Sequence, residues 1–390
     1  MADNPSIAVV GGGIGGITAA LLLQRAGYDC HVYEQSRVIT RIGAGINLYP
    51  NGTRVLFSLG LDKQLFAVGL THDAKRSRDF DTGRVTYIIE CKELEQLYGA
   101  PVLTIHRGDL AQILTSALKP GTLHLDHALT ALDDTGNKVR LLFASGAAAS
   151  ADIVIGADGV NSKVREILLG PEPPRYSGDV AYRALYPISR LNGFVPEDHC
   201  KWWHDDRRYV LIYYIDANRS DAYYIAGAPE PIWGKNDFTP TTVSTDHVVD
   251  AFKDFHPDVL RVLGAAPEAH RWAILERDPL PLWSRGRIVV LGDACHPMPP
   301  YMGQGGSMAL EDAAMLARCI MLAAGKSPEY AFRLYEMNRA ARTRRVQLES
   351  KKGDWQRYEM DHEWVMSYDA FTVPLIEPSR SVAQPAARTG

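Results

Sequence analysis

Apolar and polar positions follow two different rhythms along this chain. At the N-terminal end, Ser6–Val10 (SIAVV) is a short, nearly unbroken apolar run, the pattern of a strand buried in a parallel sheet. A Gly-rich turn follows, and Ile17–Gly27 reads as a helix that stops at Gly27. Asp29–Glu34 is a second strand, which completes a βαβ unit. Ile105–Leu118 reads as a helix, Thr122–Leu125 and Lys138–Phe143 as strands, and Ala151–Gly156 as another buried strand. The rhythm changes after Pro171–Pro174. Val180–Pro187, Cys200–His204, Tyr209–Ile215 and Ala222–Ala226 alternate, are rich in Tyr and Trp, and are divided by polar turns such as Asp216–Asp221. That is the pattern of an antiparallel meander. Asp246–Phe255 reads as a helix, Arg287–Gly292 as a buried strand, and Gln304–Ala324 and Pro328–Lys351 as long helices.

The α/β texture thus stands at both ends with a sheet-rich segment between them. Residues 1–70, 101–175 and 270–350 are assigned to one discontinuous nucleotide-binding domain. Residues 71–100 and 176–269 form a second lobe, and 351–390 are a C-terminal segment with a loose Pro/Ala/Ser-rich tail. A length of 390 residues suits this division.

Composition narrows the function classes. Lys and Arg number 42 against 46 Asp and Glu, a net charge of −4 that disfavours non-specific nucleic-acid binding. The five cysteines, Cys30, Cys91, Cys200, Cys295 and Cys319, show no C-x-x-C spacing, which argues for reduced thiols and a cytoplasmic protein. Asn4–Gln24 is uncharged, but glycines fill its middle and nothing basic precedes it, so neither a signal peptide nor a membrane span is expected. His296, Cys295 and Cys319 fit no metal-ligand spacing, and no metal is expected. The basic run Arg339–Arg345 is read as the solvated face of a helix.

The chemistry starts at Gly11-x-Gly13-x-x-Gly16, after a strand and at the opening of a helix. Gly11 allows the tight turn, Gly13 lets a pyrophosphate approach the backbone, and Gly16 allows close helix–sheet packing. The helix N-terminus, with Ile14 and Gly15, offers free N–H groups and a positive dipole end. Glu34, with Gln35 beside it, ends the next strand, where a carboxylate can hold ribose hydroxyls. This motif alone does not separate FAD from NAD.

Three further segments do: Asp152–Arg165 (DIVIGADGVNSKVR), Arg287–Pro297 (RIVVLGDACHP) and Pro300–Asp312 (PYMGQGGSMALED). With them the sequence resembles the single-component (group A) flavoprotein aromatic hydroxylases, from Ile7 to about Leu348. The resemblance implies an α/β fold: a Rossmann-like FAD-binding domain with an inserted antiparallel-sheet substrate lobe and C-terminal helices. It implies FAD contacts at Asp293, Asp158, Gly159, Arg107, Arg41, Ala44 and Leu129. The loop Pro300, Gly303, Gly305, Gly306 and Ser307 would lie against the flavin ring. No second GxGxxG unit is present, as in that family, where NADH or NADPH visits transiently. NADH is favoured because no second basic site is shaped for a 2′-phosphate.

Glu34–Pro50, Thr104–Leu110, Cys200–Trp203 and Asp278–Arg287 resemble the branch of the family that acts on 6-hydroxynicotinate. The resemblance implies O2-dependent hydroxylation through a flavin C4a-hydroperoxide, with loss of the carboxylate to give 2,5-dihydroxypyridine. Asn47 and Tyr301 depart from that branch, which has His at both positions. Another hydroxypyridine carboxylate, or a hydroxybenzoate such as salicylate, is the alternative substrate. An FAD-dependent reductase without oxygen insertion is the alternative of another class. A non-catalytic dinucleotide sensor would not need the flavin-ring loop. The reaction needs a base or polarising acceptor near the ring hydroxyl and a site that excludes water. His204, Tyr214 and Tyr301 are the candidate catalytic groups. Asn47, Arg183, Tyr213 and Met302 are the candidate substrate contacts, with Arg207 and Arg208 as further partners for a carboxylate. A monomer or homodimer is expected.

Overall fold

The apolar run at the N-terminus becomes the middle of a sheet. The structure is a computed structural model that describes residues 4–39, 45–234, 237–353, 355, 357 and 361–377. Ile7–Val10 is buried throughout because it lies between two parallel neighbours, Cys30–Tyr33 and Ile153–Gly156. Ile288–Val290 extends the sheet in parallel beyond Ile153–Gly156, and Ser284–Arg285 closes that edge antiparallel. Leu123–His124 closes the other edge. Unbroken apolar strands suit a sheet covered on both faces. Helices Ile14–Arg25 and Gly305–Leu322 pack together over it, and helix Pro328–Lys352 packs on the latter. A three-stranded antiparallel sheet, Leu129–Asp133, Val139–Phe143 and Ala148–Ala151, joins the same core.

Two expectations are corrected here. Ile105 and His106 are not helical. They end the strand Leu103–His106, which pairs antiparallel with Gly45–Leu48. The helix starts only at Arg107, where the His106 ring nitrogen Nδ1 accepts the Gly108 N–H at 3.0 Å and caps it.

The basic run Arg339–Arg345 is not a solvated face throughout. Arg339 is fully buried, with Nε donating to Asp312 Oδ1 at 2.7 Å and Nη1 to Glu311 Oε2 at 2.5 Å. Arg342 donates to both Glu311 oxygens at 2.8 Å. The helix turns this side onto Gly305–Leu322, whose two acids point inward. Asp312 also accepts the Gly292 N–H at 3.0 Å and meets His296 Nε2 at 2.5 Å. Burial pushes both carboxyls up, but Arg342 and Arg339 hold Glu311 below its usual range. His296 and Arg339 do the same for Asp312.

The second lobe is an eight-stranded sheet in the order Thr241–Val243, Ala269–Glu276, Arg175–Pro187, Asp221–Pro229, Tyr209–Tyr214, His199–Trp203, Ala74–Asp79, Val85–Glu90. Alternation gives it two different faces. Val180, Tyr182, Ala184, Cys200, Trp202, Val210, Ile212, Tyr224 and Ala226 face helices Thr245–Ala251 and Pro257–Ala265 and form a second core. The opposite face looks toward the nucleotide-binding layer, and the cleft lies between the two.

Candidate active site

The cleft is open to solvent and holds about 1420 Å³ of empty space. Its first wall is built by backbone. Gly11 has φ +107°, and a Cβ there would stand 2.3 Å from Ala157 O. A Cβ on Gly16 would stand 2.2 Å from Gly11 O, so these two glycines are needed for the turn itself. Gly13 and Gly305 have nothing within 4 Å of a Cβ position; there the missing side chain leaves room for something else. Each lies at the start of a long helix that has no side-chain cap and no acid in its first turn. Two sets of free N–H groups therefore face the cleft, a ready environment for anions. Arg107, Gly159 and Asp293 line the same wall. Glu34 accepts the Gly12 N–H at 2.6 Å and the Ser36 N–H at 2.8 Å.

The second wall is the sheet face. His199 pairs with Tyr213, Lys201 with Leu211, Tyr213 with Tyr223 and Arg183 with Ile225, so their side chains share one side. Two amines are sunk in this wall, with Lys75 2% and Lys201 4% exposed. Lys75 donates to Asn47 Oδ1 at 2.8 Å and stands 4.3 Å over the Tyr49 ring. An ammonium is a donor only, so the Asn47 carbonyl must face it and the amide N–H₂ must face away. Lys201 lies 3.9 Å over the Trp203 ring and 4.7 Å over Tyr209, and reaches Tyr301 O only at 3.4 Å. Burial lowers both amines to about 7, with Lys75 also disfavouring charge on Lys201. His199 is held neutral by burial and by Lys75, and neither ring nitrogen has a hydrogen-bond partner among the described residues. Tyr301 donates to Asp179 Oδ2 at 2.7 Å, the oxygen that also takes Arg207 at 2.8 Å.

The family model described as FAD binding domain matches residues 5–350. The chain belongs to that family. It is an FAD-dependent aromatic monooxygenase, as its relatives are. Two of them, each named 6-hydroxynicotinate 3-monooxygenase, come from Pseudomonas fluorescens and Bordetella bronchiseptica. Each is 45% identical, covering 98% of this chain and 100% of its own length. A solved structure of HpxO from Klebsiella pneumoniae, in complex with FAD and uric acid, superimposes with a TM-score of 0.78. That match has 26% identity and covers 89% of this chain and 87% of the other. The donor set fits FAD: uncapped helix starts, open glycines and Arg107 for phosphate oxygens, and Asp293, which has no partner among the described residues, for hydroxyls.

The structure brings many of the sequence candidates of this flavoprotein together. Gly13, Ile14, Gly15, Gly16, Asn47, Arg107, Gly159, Arg183, Tyr213, Asp293, Pro300, Tyr301, Met302, Gly303, Gly305 and Gly306 line one cleft. Others lie elsewhere. Asp158 turns away to the helix Lys163–Leu169, accepting from Ser162 Oγ at 2.5 Å and from the N–H groups of Lys163 and Val164. Ser307 is buried against the helix Pro50–Ser58, where a Cβ on Gly52 would meet it at 2.6 Å. Gln35 is an exposed turn residue, and Leu129 packs at the start of the three-stranded sheet. Arg41 and Ala44 lie outside the described residues.

Two catalytic candidates are corrected by strand alternation. Tyr214 points to the side opposite Tyr213 and donates to Pro196 O at 3.3 Å. His204 leaves the strand after Trp203, packs tilted against Phe80 with centroids 4.0 Å apart, and accepts the Asp206 N–H at 2.9 Å. Neither lines the cleft. Arg208 is likewise held away by Asp254 and Asp206.

Sequence reasoning missed Lys201, Lys75, His199 and Tyr223. For Lys201 and His199 a signal existed: they alternate with Cys200 and Trp202 on an otherwise apolar strand. Lys75 sits in AKRSRD, polar on both faces, and carried none.

Proposed function

We propose that this monooxygenase uses NADH, or NADPH, and O2 to hydroxylate a hydroxylated aromatic carboxylate, with 6-hydroxynicotinate as substrate and 2,5-dihydroxypyridine as product. The observation that carries the reading is full-length similarity at 45% identity to two proteins of that name. The cleft supports it. Its sheet wall is aromatic and carries Lys201, His199 and Arg183, a lining suited to a flat anion.

Gly13–Gly16, Arg107 and Gly159 would hold the cofactor's phosphates, Asp293 its hydroxyls, and Pro300–Gly306 its ring. Bound FAD supplies the oxygen-transfer chemistry. The chain's own residues bind and orient the ring, exclude water and govern the ring hydroxyl's proton. Neutral His199, whose ring nitrogens have no hydrogen-bond partner among the described residues, can accept a hydrogen bond from that hydroxyl and polarise it, while burial and Lys75 disfavour full transfer of the proton. Tyr301 is a poor base, since burial raises its hydroxyl far above the usual range and Asp179 already holds its proton. The protein acts as a monomer or homodimer in the cytoplasm.

The test is to purify the protein, record its visible spectrum and follow NADH oxidation in air with 6-hydroxynicotinate, identifying the product by mass. A yellow protein, substrate-stimulated NADH consumption and 2,5-dihydroxypyridine are expected. NADH consumed without oxygenated product would overturn the oxygen-insertion reading. A yellow protein that turns over only a hydroxybenzoate would move the substrate to the second class.

A further inference from the structure

Lys201 is the most deeply buried of the charged groups that line the cleft, at 4% exposure. It sits in the sheet wall with one long hydrogen bond, to Tyr301 O, for its three donors. Two aromatic rings stand under it, which stabilises a cation but does not replace an anion. Among the described residues no carboxylate pairs with it, and the charge it feels is that of Lys75. Buried charges are ordinarily paired, because desolvating one alone is costly. Arg339 meets that requirement with Glu311 and Asp312, and Arg277 with Glu172 and backbone oxygens, while Lys75 has the Asn47 carbonyl and Arg165 the Ala294 carbonyl. Among the described residues Lys201 therefore has no negative partner on the side facing the cleft.

We propose that Lys201 is the residue that pairs with the carboxylate of the substrate. The proposal rests on the reading of the substrate as an aromatic acid, and it assigns the acid's partner differently from Arg183. Arg183 also lines the cleft and its buried Nε has no hydrogen-bond partner among the described residues, but it is only half-buried, and its guanidinium lies 5.3 Å over the Trp272 ring, which is 40% exposed, on the rim side. Lys201 lies inside, beside the Tyr301 backbone of the loop Pro300–Met302. Lys75 is a positioning residue: it holds the Asn47 carbonyl, so the Asn47 N–H₂ is left to face a second oxygen of the ligand.

The experiment measures dissociation constants of the FAD-loaded protein from the perturbation of flavin absorbance. It uses acid and amide pairs that differ only at the carboxylate: 6-hydroxynicotinate with 6-hydroxynicotinamide, and 3-hydroxybenzoate with 3-hydroxybenzamide. Lys201→Met keeps the stem and removes the charge. Lys201→Arg keeps the charge, and Arg183→Met is the rival. The flavin spectrum of each variant reports that it folds and holds FAD. Wild type is expected to prefer an acid over its amide by about 30-fold or more. Lys201→Met should lose that preference with amide binding unchanged, Lys201→Arg should keep part of it, and Arg183→Met most of it. If wild type binds no acid of either pair, the aromatic-acid reading fails and the assignment with it. If wild type prefers acids and Lys201→Met does too, the assignment alone fails. It also fails if Lys201→Met weakens acid and amide equally, because the lysine would then touch the ring. Loss of the preference in Arg183→Met only would give the role to Arg183.

Discussion

An amine whose proton is loosened by burial to about 7 makes acid binding depend on pH. The groups that line the cleft wall with Lys201 are His199, Tyr209, Tyr213, Tyr223, Tyr301 and Arg183, and Lys75 lies close enough to act on its charge. Burial keeps His199 neutral and pushes the four tyrosines up, so they stay neutral near pH 7. An arginine remains charged. Only Lys201 and Lys75 titrate in that range. A bound carboxylate stabilises the ammonium, so affinity is full below about pH 7 and falls above it, up to tenfold per unit for each lysine that must take a proton. The dissociation constant of 6-hydroxynicotinate, titrated from pH 6 to 9, should show that bend, and the amide should not. The sign for folding is opposite. These lysines bind protons less well folded than unfolded, so the ligand-free protein gains stability as pH rises from about 7 toward the ordinary lysine value near 10.4. Thermal melts of the ligand-free and 6-hydroxynicotinate-bound protein across that range should diverge.

At the scale of elements, the glycines of the first turn separate into two kinds. Gly16→Ala would place a methyl 2.2 Å from Gly11 O, and the backbone would have to move. A loss of about 1–3 kcal/mol of stability is expected, read as a lower melting temperature with or without FAD. Gly13→Ala meets no protein atom. Its melting temperature without cofactor should stay near wild type, while FAD binds at least tenfold more weakly, about 1.4 kcal/mol. The sheet wall has a comparable position at Gly227, where a Cβ would stand 2.1 Å from the Tyr209 ring. Gly227→Ala should displace that ring from under Lys201 and weaken acid binding.

For the whole molecule, the buried cluster of Arg339, Arg342, Glu311, Asp312 and His296 ties the last long helix to the one before it. Through Asp312 and the Gly292 N–H it also ties both to the loop that carries Asp293. Glu311→Leu leaves two guanidinium groups short of their partner, and a loss of about 3–5 kcal/mol is expected in a urea titration. Both acids are held below their ordinary values when folded. Their contribution is present above about pH 4 and is lost as pH falls through the lower folded values, so wild type should lose stability faster than Glu311→Leu in acid. None of this was visible in the sequence. RAARTRR looks like a solvated helix face until another helix presents two acids to it.

The cofactor half of the site was legible because it is local. The turn at Gly11–Gly16, the acid at Glu34 and the loop Pro300–Gly306 each lie at the end of a strand or the start of a helix, where local sequence sets the backbone path. Which residues of the second lobe face the substrate was not local. Sequence order places Tyr213 and Tyr214 side by side, and only the pairing of strands sends one into the cleft and the other away. Lys75 and Lys201 reach one wall because Ala74–Asp79 runs parallel beside His199–Trp203. Chain order by itself determined the sheet, the phosphate turn and the cofactor family, since their signals are short-range. Tertiary structure decided the polarity of the substrate wall and the burial of the arginines, because both depend on neighbours that no sequence spacing specifies.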